Sequence, residues 1–321
     1  MPHLNHGWTF VDRVSAAAAG STVHEFYVRH YPHWPAAVWC ARLRRGQVTV
    51  DGAVAGPDQR LRAGQVLRYS RSPWWEPDVP TDVAVLYGDA DLLAVRKPAG
   101  LPCMPGGGFL ENTLLHLVRA RHGEELAPVH RLGRATSGIV LFARSALARQ
   151  RLSAAFRDGT VRKVYRALVQ GAGIQTPLAI EAPIGQVPYA PLGRVHAAAA
   201  SGRPARTLVR VLERRAAADQ ALVEVEIATG RAHQIRIHLA AAGHPLAGDG
   251  LYAPGGLPVA PAPRHRPVLP GDSGYHLHAA RVEFAHPRLG NRFAVLCAPP
   301  AALQTAGERA DALDAAQGRH A

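Results

Sequence analysis

The run Gly138-Ile139-Val140-Leu141-Phe142-Ala143 carries no polar side chain on either parity. As a strand it has two apolar faces, and both must be covered, so it belongs at the centre of a sheet with other layers packed against it. Shorter stretches around it alternate apolar and polar residues: Lys163 to Val169, Arg206 to Leu212, Leu222 to Ala228 and Arg281 to Phe284. That period of two is the signature of strands. Asp82 to Arg96 reads as a strand, a Gly88-Asp89-Ala90-Asp91 turn and a second strand, whereas Leu114, Leu115, Leu117 and Val118 have helical spacing. The chain is expected to be α+β with sheet predominating.

A length of 321 residues suits two domains. Residues 9–70 read as a small unit: a helix over Ala36 to Arg45, a strand over Gln47 to Val50, the hairpin signal Asp51-Gly52, and a strand over Gly64 to Tyr69. Residues 71–81 concentrate proline and polar residues and read as a linker. The larger unit spans 82–300, interrupted by a proline-rich loop over Ala253 to Pro270, and 301–321 is an alanine-rich tail of helical composition.

Several classes are set aside by simple counts. The longest uninterrupted apolar run is Ala36 to Ala41, far short of the roughly 18–20 residues of a membrane-spanning helix, so no membrane association is expected. The opening MPHLNHGWTF has no basic segment followed by an apolar one, which sets a cytoplasmic expectation. Cys40, Cys103 and Cys297 are too widely spaced for a metal clip or a disulfide framework and are expected as buried thiols.

The formal net charge is +13, and residues 119–166 hold 11 basic side chains against 3 acidic ones. A local excess of +8 attracts polyanions by counterion release, which makes nucleic acid the natural partner. Lysine is nearly absent. Only Lys97 and Lys163 stand among 37 basic residues, and they are expected where a planar guanidinium cannot fit or cannot substitute.

Two motifs carry the functional reading. In Val129 to Arg144, VHRLGRATSGIVLFAR, an arginine-bearing turn feeds the apolar run and presents side chains at the mouth of a strand; the second is Gly230 to His238, GRAHQIRIH. Together they resemble the RluA-type pseudouridine synthases of the RluA/RsuA superfamily, whose signatures read approximately HRLDxxTSG and GRxHQIRxH. Further pieces follow in family order: Lys97-Pro98-Ala99-Gly100, Lys163-Val164-Tyr165-Arg166-Ala167, Gly202 to Thr207, and Gly248-Asp249-Gly250-Leu251-Tyr252. Residues 9–70 resemble more loosely the small RNA-binding domain that often precedes this catalytic domain. The resemblance implies a central mixed, largely antiparallel sheet flanked by helices. It also implies an isomerisation without a cofactor, in which a uridine in structured RNA, ribosomal or transfer, loses its glycosidic bond and is reattached through carbon 5. The nucleotide must first be flipped out of its stack. No obligate protein partner is implied.

Carried over by motif, Arg131 helps displace the base, Tyr165 lies against the uracil, and Arg236 pairs with the catalytic carboxylate. Arg134, Lys163, Arg149, Arg157, Arg231 and His233, with Arg44 and Arg45 of the small domain, are expected to contact RNA. His233 and His238, five apart on an alternating strand, would lie on opposite faces and form no metal site. Asp89, Asp91 and Asp249 are expected in turns, bonded to local backbone. The sequence departs from the family at one position: where HRLD has its aspartate, this chain has Gly133. Without that carboxylate Arg236 would be a buried cation lacking its partner, a costly state. Asp158, Glu124 and Glu125 are the acids nearest in sequence. Two readings stand: a synthase whose carboxylate comes from elsewhere, and a catalytically silent RNA-binding protein on the same scaffold.

Overall fold

In the computed structural model, the apolar run lies within the strand Ser137–Ala143, whose last six residues are all buried. Its two parities serve two cores. Val140 and Phe142 join a cluster with Leu114 and Val118 of the helix Leu114–His122 and with Ile235 and Leu239 of the helix Gln234–Ala241. Ile139 and Leu141 join another, with Ala148 and Leu152 of the helix Ala146–Arg157.

The structure describes residues 3–32, 34–261 and 266–317, and the chain divides into two units, Met1–Pro77 and Asp78–Ala321. In the second, a ten-stranded sheet runs in the order Leu178–Ile180, Thr207–Arg215, Gln220–Ile227, Arg162–Gln170, Leu277–Ala285, Ser137–Ala143, Leu92–Lys97 and Ala84–Gly88. Arg292–Leu296 and Ala127–Pro128 pair alongside. One pairing is parallel, Ser137–Ala143 against Leu277–Ala285; the others are antiparallel. At that junction Gly138 has φ +111°, and a Cβ there would lie 2.3 Å from the Ala279 carbonyl oxygen. The glycine of Thr136-Ser137-Gly138 is therefore required by the close approach of the neighbouring strand.

The first unit has a four-stranded antiparallel sheet, ordered Trp8–Arg13, Val66–Arg71, Val48–Val50 and Ala53–Val54. Helices Val23–His30 and Ala36–Arg44 accompany it, and Phe26, Tyr27, Trp39 and Tyr69 fill its core. Asp51 and Gly52, at φ +50° and +90°, make the expected tight turn. The helix Val23–His30 was not read from the pattern of apolar residues, although Thr22 and Glu25 form a reciprocal capping box at its start.

A second difference bears on function. Gly230 to His238 is not a strand: the segment turns at His233 and becomes the helix Gln234–Ala241. The tail forms the helix Ala306–Gln317. Cys103 and Cys297 are buried and Cys40 is half-buried, all three as free thiols. Among the described residues no helix is long and apolar enough to cross a membrane.

Replacing Gly138 by alanine forces a methyl group into the Ala279 backbone and is expected to destabilise the second unit by about 2–4 kcal/mol. Chemical denaturation of the purified variant reads this directly; a change under about 0.5 kcal/mol would show that the strands separate without cost.

Candidate active site

The parallel junction places the segment His130 to Ser137 at the strand mouth, and a buried lysine fixes its backbone. Lys97, fully buried, donates to the carbonyl oxygens of Pro98, Leu101 and Arg134 at 2.8, 2.7 and 3.0 Å. Gly100 N–H donates to the same Arg134 carbonyl at 2.8 Å. A compact ammonium with three diverging donors suits three carbonyls, and a planar guanidinium does not. Burial lowers the Lys97 pKa to about 8. Upstream, His130 stacks on Phe156 and accepts from the Leu141 N–H at 3.1 Å. Its accepting Nε2 is unprotonated, and burial, reinforced by Lys163, lowers its pKa to about 3. The histidine of His130-Arg131-Leu132-Gly133 thus anchors the turn.

Arg236 enters from the helix that follows His233. His233 adopts the left-handed region at φ +56°, a strained conformation for a non-glycine residue. Gln234 secures the turn, donating to the Arg206 carbonyl and accepting from the Arg231 N–H. The Arg236 side chain, 4% exposed, forms a two-pronged pair with Asp249, whose side chain is fully buried: Nε to Oδ2 at 2.6 Å and Nη2 to Oδ1 at 2.7 Å. Nη1 donates to the Pro270 carbonyl at 2.9 Å. The guanidinium lies 4.3 Å from the Tyr275 ring centre and 5.0 Å from that of Tyr252. Burial opposes the charge, but the Asp249 carboxylate outweighs it, and the Arg236 pKa is raised.

This corrects the expectation for Asp249. Its Oδ1 does accept from the Leu251 N–H, as a turn residue would, yet its principal partner is Arg236. The acids nearest in sequence are elsewhere: Glu125 pairs with Arg144 and Asp158 with Arg157, while Glu124 shares the turn with Glu125. Asp89 does bond local backbone, accepting from the Asp91 and Leu92 N–H groups, and also contacts His286, whereas Asp91 departs from the expectation: its carboxylate is held by the distant side chains of Ser145 and Arg288.

Gly133 is exposed, and its φ lies outside the left-handed range. A Cβ built on it would lie 3.2 Å from the Tyr275 hydroxyl and 3.4 Å from Thr136 Oγ1. Those two hydroxyls are 3.3 Å apart. Tyr275 therefore bridges Gly133 and Arg236, a role nothing in the sequence pattern signalled. Tyr165 lies in the same apolar cluster as Leu132, Ile235 and Tyr275, and burial raises its pKa to about 12.

The other expected residues divide. His233 joins the site through Tyr252: that hydroxyl donates to the His196 carbonyl, so His233 Nδ1 donates to it at 2.7 Å. Burial, with Arg236 adding repulsion, lowers the His233 pKa to about 3. Arg131 is exposed on the turn. Arg134 lies beside it, donating to the Gly271 carbonyl and paired with Asp272 at 3.6 Å. Lys163 is 6% exposed, and its sheet position corrects its expected place on an exposed face. Arg149 and Arg157 are exposed on the helix Ala146–Arg157, Arg231 donates to the Pro204 carbonyl, and Arg44 and Arg45 are exposed at a helix end in the other unit. His238 is buried and engaged with Thr207 and the Ala182 carbonyl.

Residues 91–241 match the family described as RNA pseudouridylate synthase. An uncharacterized RNA pseudouridine synthase from Synechocystis is 44% identical, covering 82% of this chain and 88% of its own length. RNA pseudouridine synthase 5 of Arabidopsis thaliana is 39% identical over 95% and 96% of the two chains. Ribosomal large subunit pseudouridine synthase D of Neisseria meningitidis is 34% identical over 77% and 67%. Among solved structures, human RNA Pseudouridylate Synthase Domain Containing 1 aligns with TM-score 0.55 at 24% identity, covering 75% of this chain and 98% of that one, a likeness of fold.

Two outcomes follow from the buried groups. Lys97→Arg overfills the three-carbonyl cradle and is expected to cost about 2–4 kcal/mol, measured by denaturation. His130 and His233 bind fewer protons folded, at pKa about 3, than unfolded, at the usual 6.5. Stability therefore rises with pH through that window and is fully present above it. His130→Gln should flatten the dependence of unfolding free energy on pH between 6 and 4 by close to one proton; an unchanged slope would show that His130 is charged in the fold.

Proposed function

Because the chain belongs to the RNA pseudouridine synthase family, we propose that it isomerises uridine to pseudouridine in RNA. The observation that carries this reading is the convergence of the His130 to Ser137 turn, Tyr165 and the Arg236–Asp249 pair around one strand mouth. The reaction moves a glycosidic bond from uracil N1 to C5 and one proton from C5 to N1, so it consumes no co-reactant. What the protein must supply is a flipped nucleotide, a surface that holds the detached uracil, and a group that assists at the sugar. Tyr165, buried at one wall, is suited to lie against the uracil. Arg131, exposed on the turn, is suited to fill the space the base leaves.

Ribosomal RNA is the favoured substrate, and the cytoplasm the favoured compartment. Relatives are named ribosomal large subunit synthases, and residues 119–166 carry a local excess of eight positive charges. Arg131, Arg134, Arg149 and Arg157 supply cations for the phosphate backbone, and Arg44 and Arg45 give the first unit its own RNA contact. Gly133 corresponds to the aspartate of the HRLD signature in this reading, and Asp249 takes over its electrostatic partnership with Arg236. The names of the relatives favour an enzyme over a silent binder.

The test is pseudouridine content by mass spectrometry in total RNA, ribosomal RNA included, from a deletion strain with and without the wild-type gene. One or more positions should lose pseudouridine on deletion and regain it on complementation. If no position in any RNA depends on the gene, the enzymatic reading fails and the silent RNA-binding alternative replaces it.

A further inference from the structure

Resting on the reading above, we propose that Tyr275 is the catalytic residue at the sugar, its hydroxyl taking the place of the carboxylate that position 133 does not supply. The argument begins with what Asp249 cannot do. Its side chain is fully buried, Oδ2 accepts from Arg236 Nε, and Oδ1 accepts from Arg236 Nη2 and the Leu251 N–H. With the side chain fully buried, neither oxygen is exposed to meet a ribose. Asp249 balances Arg236 and goes no further.

The surroundings of the missing side chain supply the alternative. A carboxylate oxygen stands about 2.4 Å from its own Cβ by ordinary bond lengths. The Tyr275 hydroxyl is 3.2 Å from the Cβ position of residue 133, so it lies at a range from that position comparable to the reach of an acid there. Thr136 Oγ1, at 3.3 Å, shares a hydrogen bond with that hydroxyl. Exposed Gly133 has no side chain to block the approach. The guanidinium of Arg236, 4.3 Å from the ring centre, packs against the ring and holds it in place.

A phenol in this position has a balanced route. The Tyr275 oxygen attacks the sugar C1′ as the bond to uracil N1 breaks, and the phenolic proton passes to the departing uracil. The base rotates, its C5 attacks C1′, and the bond from C1′ to the tyrosine oxygen breaks. The C5 proton then returns to the phenol. Net transfer is one proton from C5 to N1, as the isomerisation requires. Tyrosine oxygens serve as nucleophiles at sugar carbons in other glycosyl chemistry.

The experiment measures single-turnover pseudouridine formation on RNA from the deletion strain, beside RNA affinity by filter binding and thermal stability. Tyr275→Phe keeps the ring over Arg236 and should bind RNA as wild type does, while its rate falls about 100-fold or more. Gly133→Ala leaves the tyrosine in place but sets a methyl group in front of its hydroxyl, and should slow turnover about tenfold or more. Adding Gly133→Asp to Tyr275→Phe should recover activity, because a carboxylate then fills the vacated place. An active wild type with an equally active Tyr275→Phe overturns the assignment and leaves the proposed function standing. Full activity of Gly133→Ala overturns it as well, including in the event that Tyr275→Phe does not fold. An inactive wild type removes the proposed function and this assignment with it.

Discussion

A buried guanidinium is tolerated only with a carboxylate beside it, and the pair formed by Arg236 and Asp249 sets the terms for everything around the strand mouth. Taking both charges out of water costs several kcal/mol per ion, a penalty recovered only by close, fully hydrogen-bonded geometry. The structure supplies that geometry from three separate segments. The helix after His233 brings the arginine, the turn at Gly248 to Tyr252 brings the carboxylate, and Pro270 brings a carbonyl oxygen. Gly248 makes the arrangement possible: at φ +81°, a Cβ there would lie 2.1 Å from the Gly274 carbonyl oxygen. That backbone contact sets Asp249 and Tyr275 side by side. The pair fixes an arrangement more than it adds stability, since well-packed apolar groups would stabilise the fold at least as well.

Lys97 organises the facing side of the mouth by the opposite device, one cation shared among neutral carbonyls. Its hydrogen bond to Arg134 and the parallel bond from Gly100 hold the backbone next to Gly133 against the turn at Pro98 to Leu101. Cys103 adds a contact through its sulfur to the Leu132 N–H at 3.3 Å. The turn bearing Arg131 and Gly133 is thus fixed through its backbone, which leaves its side-chain positions to chemistry.

How much of this could be read in advance depended on whether a residue's surroundings were local. The run Gly138 to Ala143 announced a covered central strand because both parities were apolar. The segment Gln234 to His238 misled for a related reason. Residues 234–240 are all buried in the helix, so no solvent-facing stripe marks a period of 3.6, and Ile235, Ile237 and Leu239 imitate a strand. The helix Val23–His30 had a local signal in Thr22 and Glu25 that the apolar pattern did not reveal. Lys163 was assigned to a surface because a charge count has no direction, and its strand carries it inward. Asp249 and Tyr275 depended on partners 13 and 39 positions away, and only the packing of helix and turns around the strand mouth brings those together.

The fate of the two lysines has a consequence for how such a surface can be addressed chemically. Lys97 is fully buried and Lys163 is 6% exposed, so every lysine amine in the chain is withdrawn from solvent in the folded state. The positive field offered to RNA comes from guanidinium groups, which keep their charge throughout the physiological range. Acetylation, the common means of neutralising a basic surface, has no exposed lysine to act on in the folded protein. Amine-directed cross-linkers and dyes likewise find no side-chain target until the chain unfolds, which makes lysine labelling a reporter of unfolding and leaves the native surface untouched.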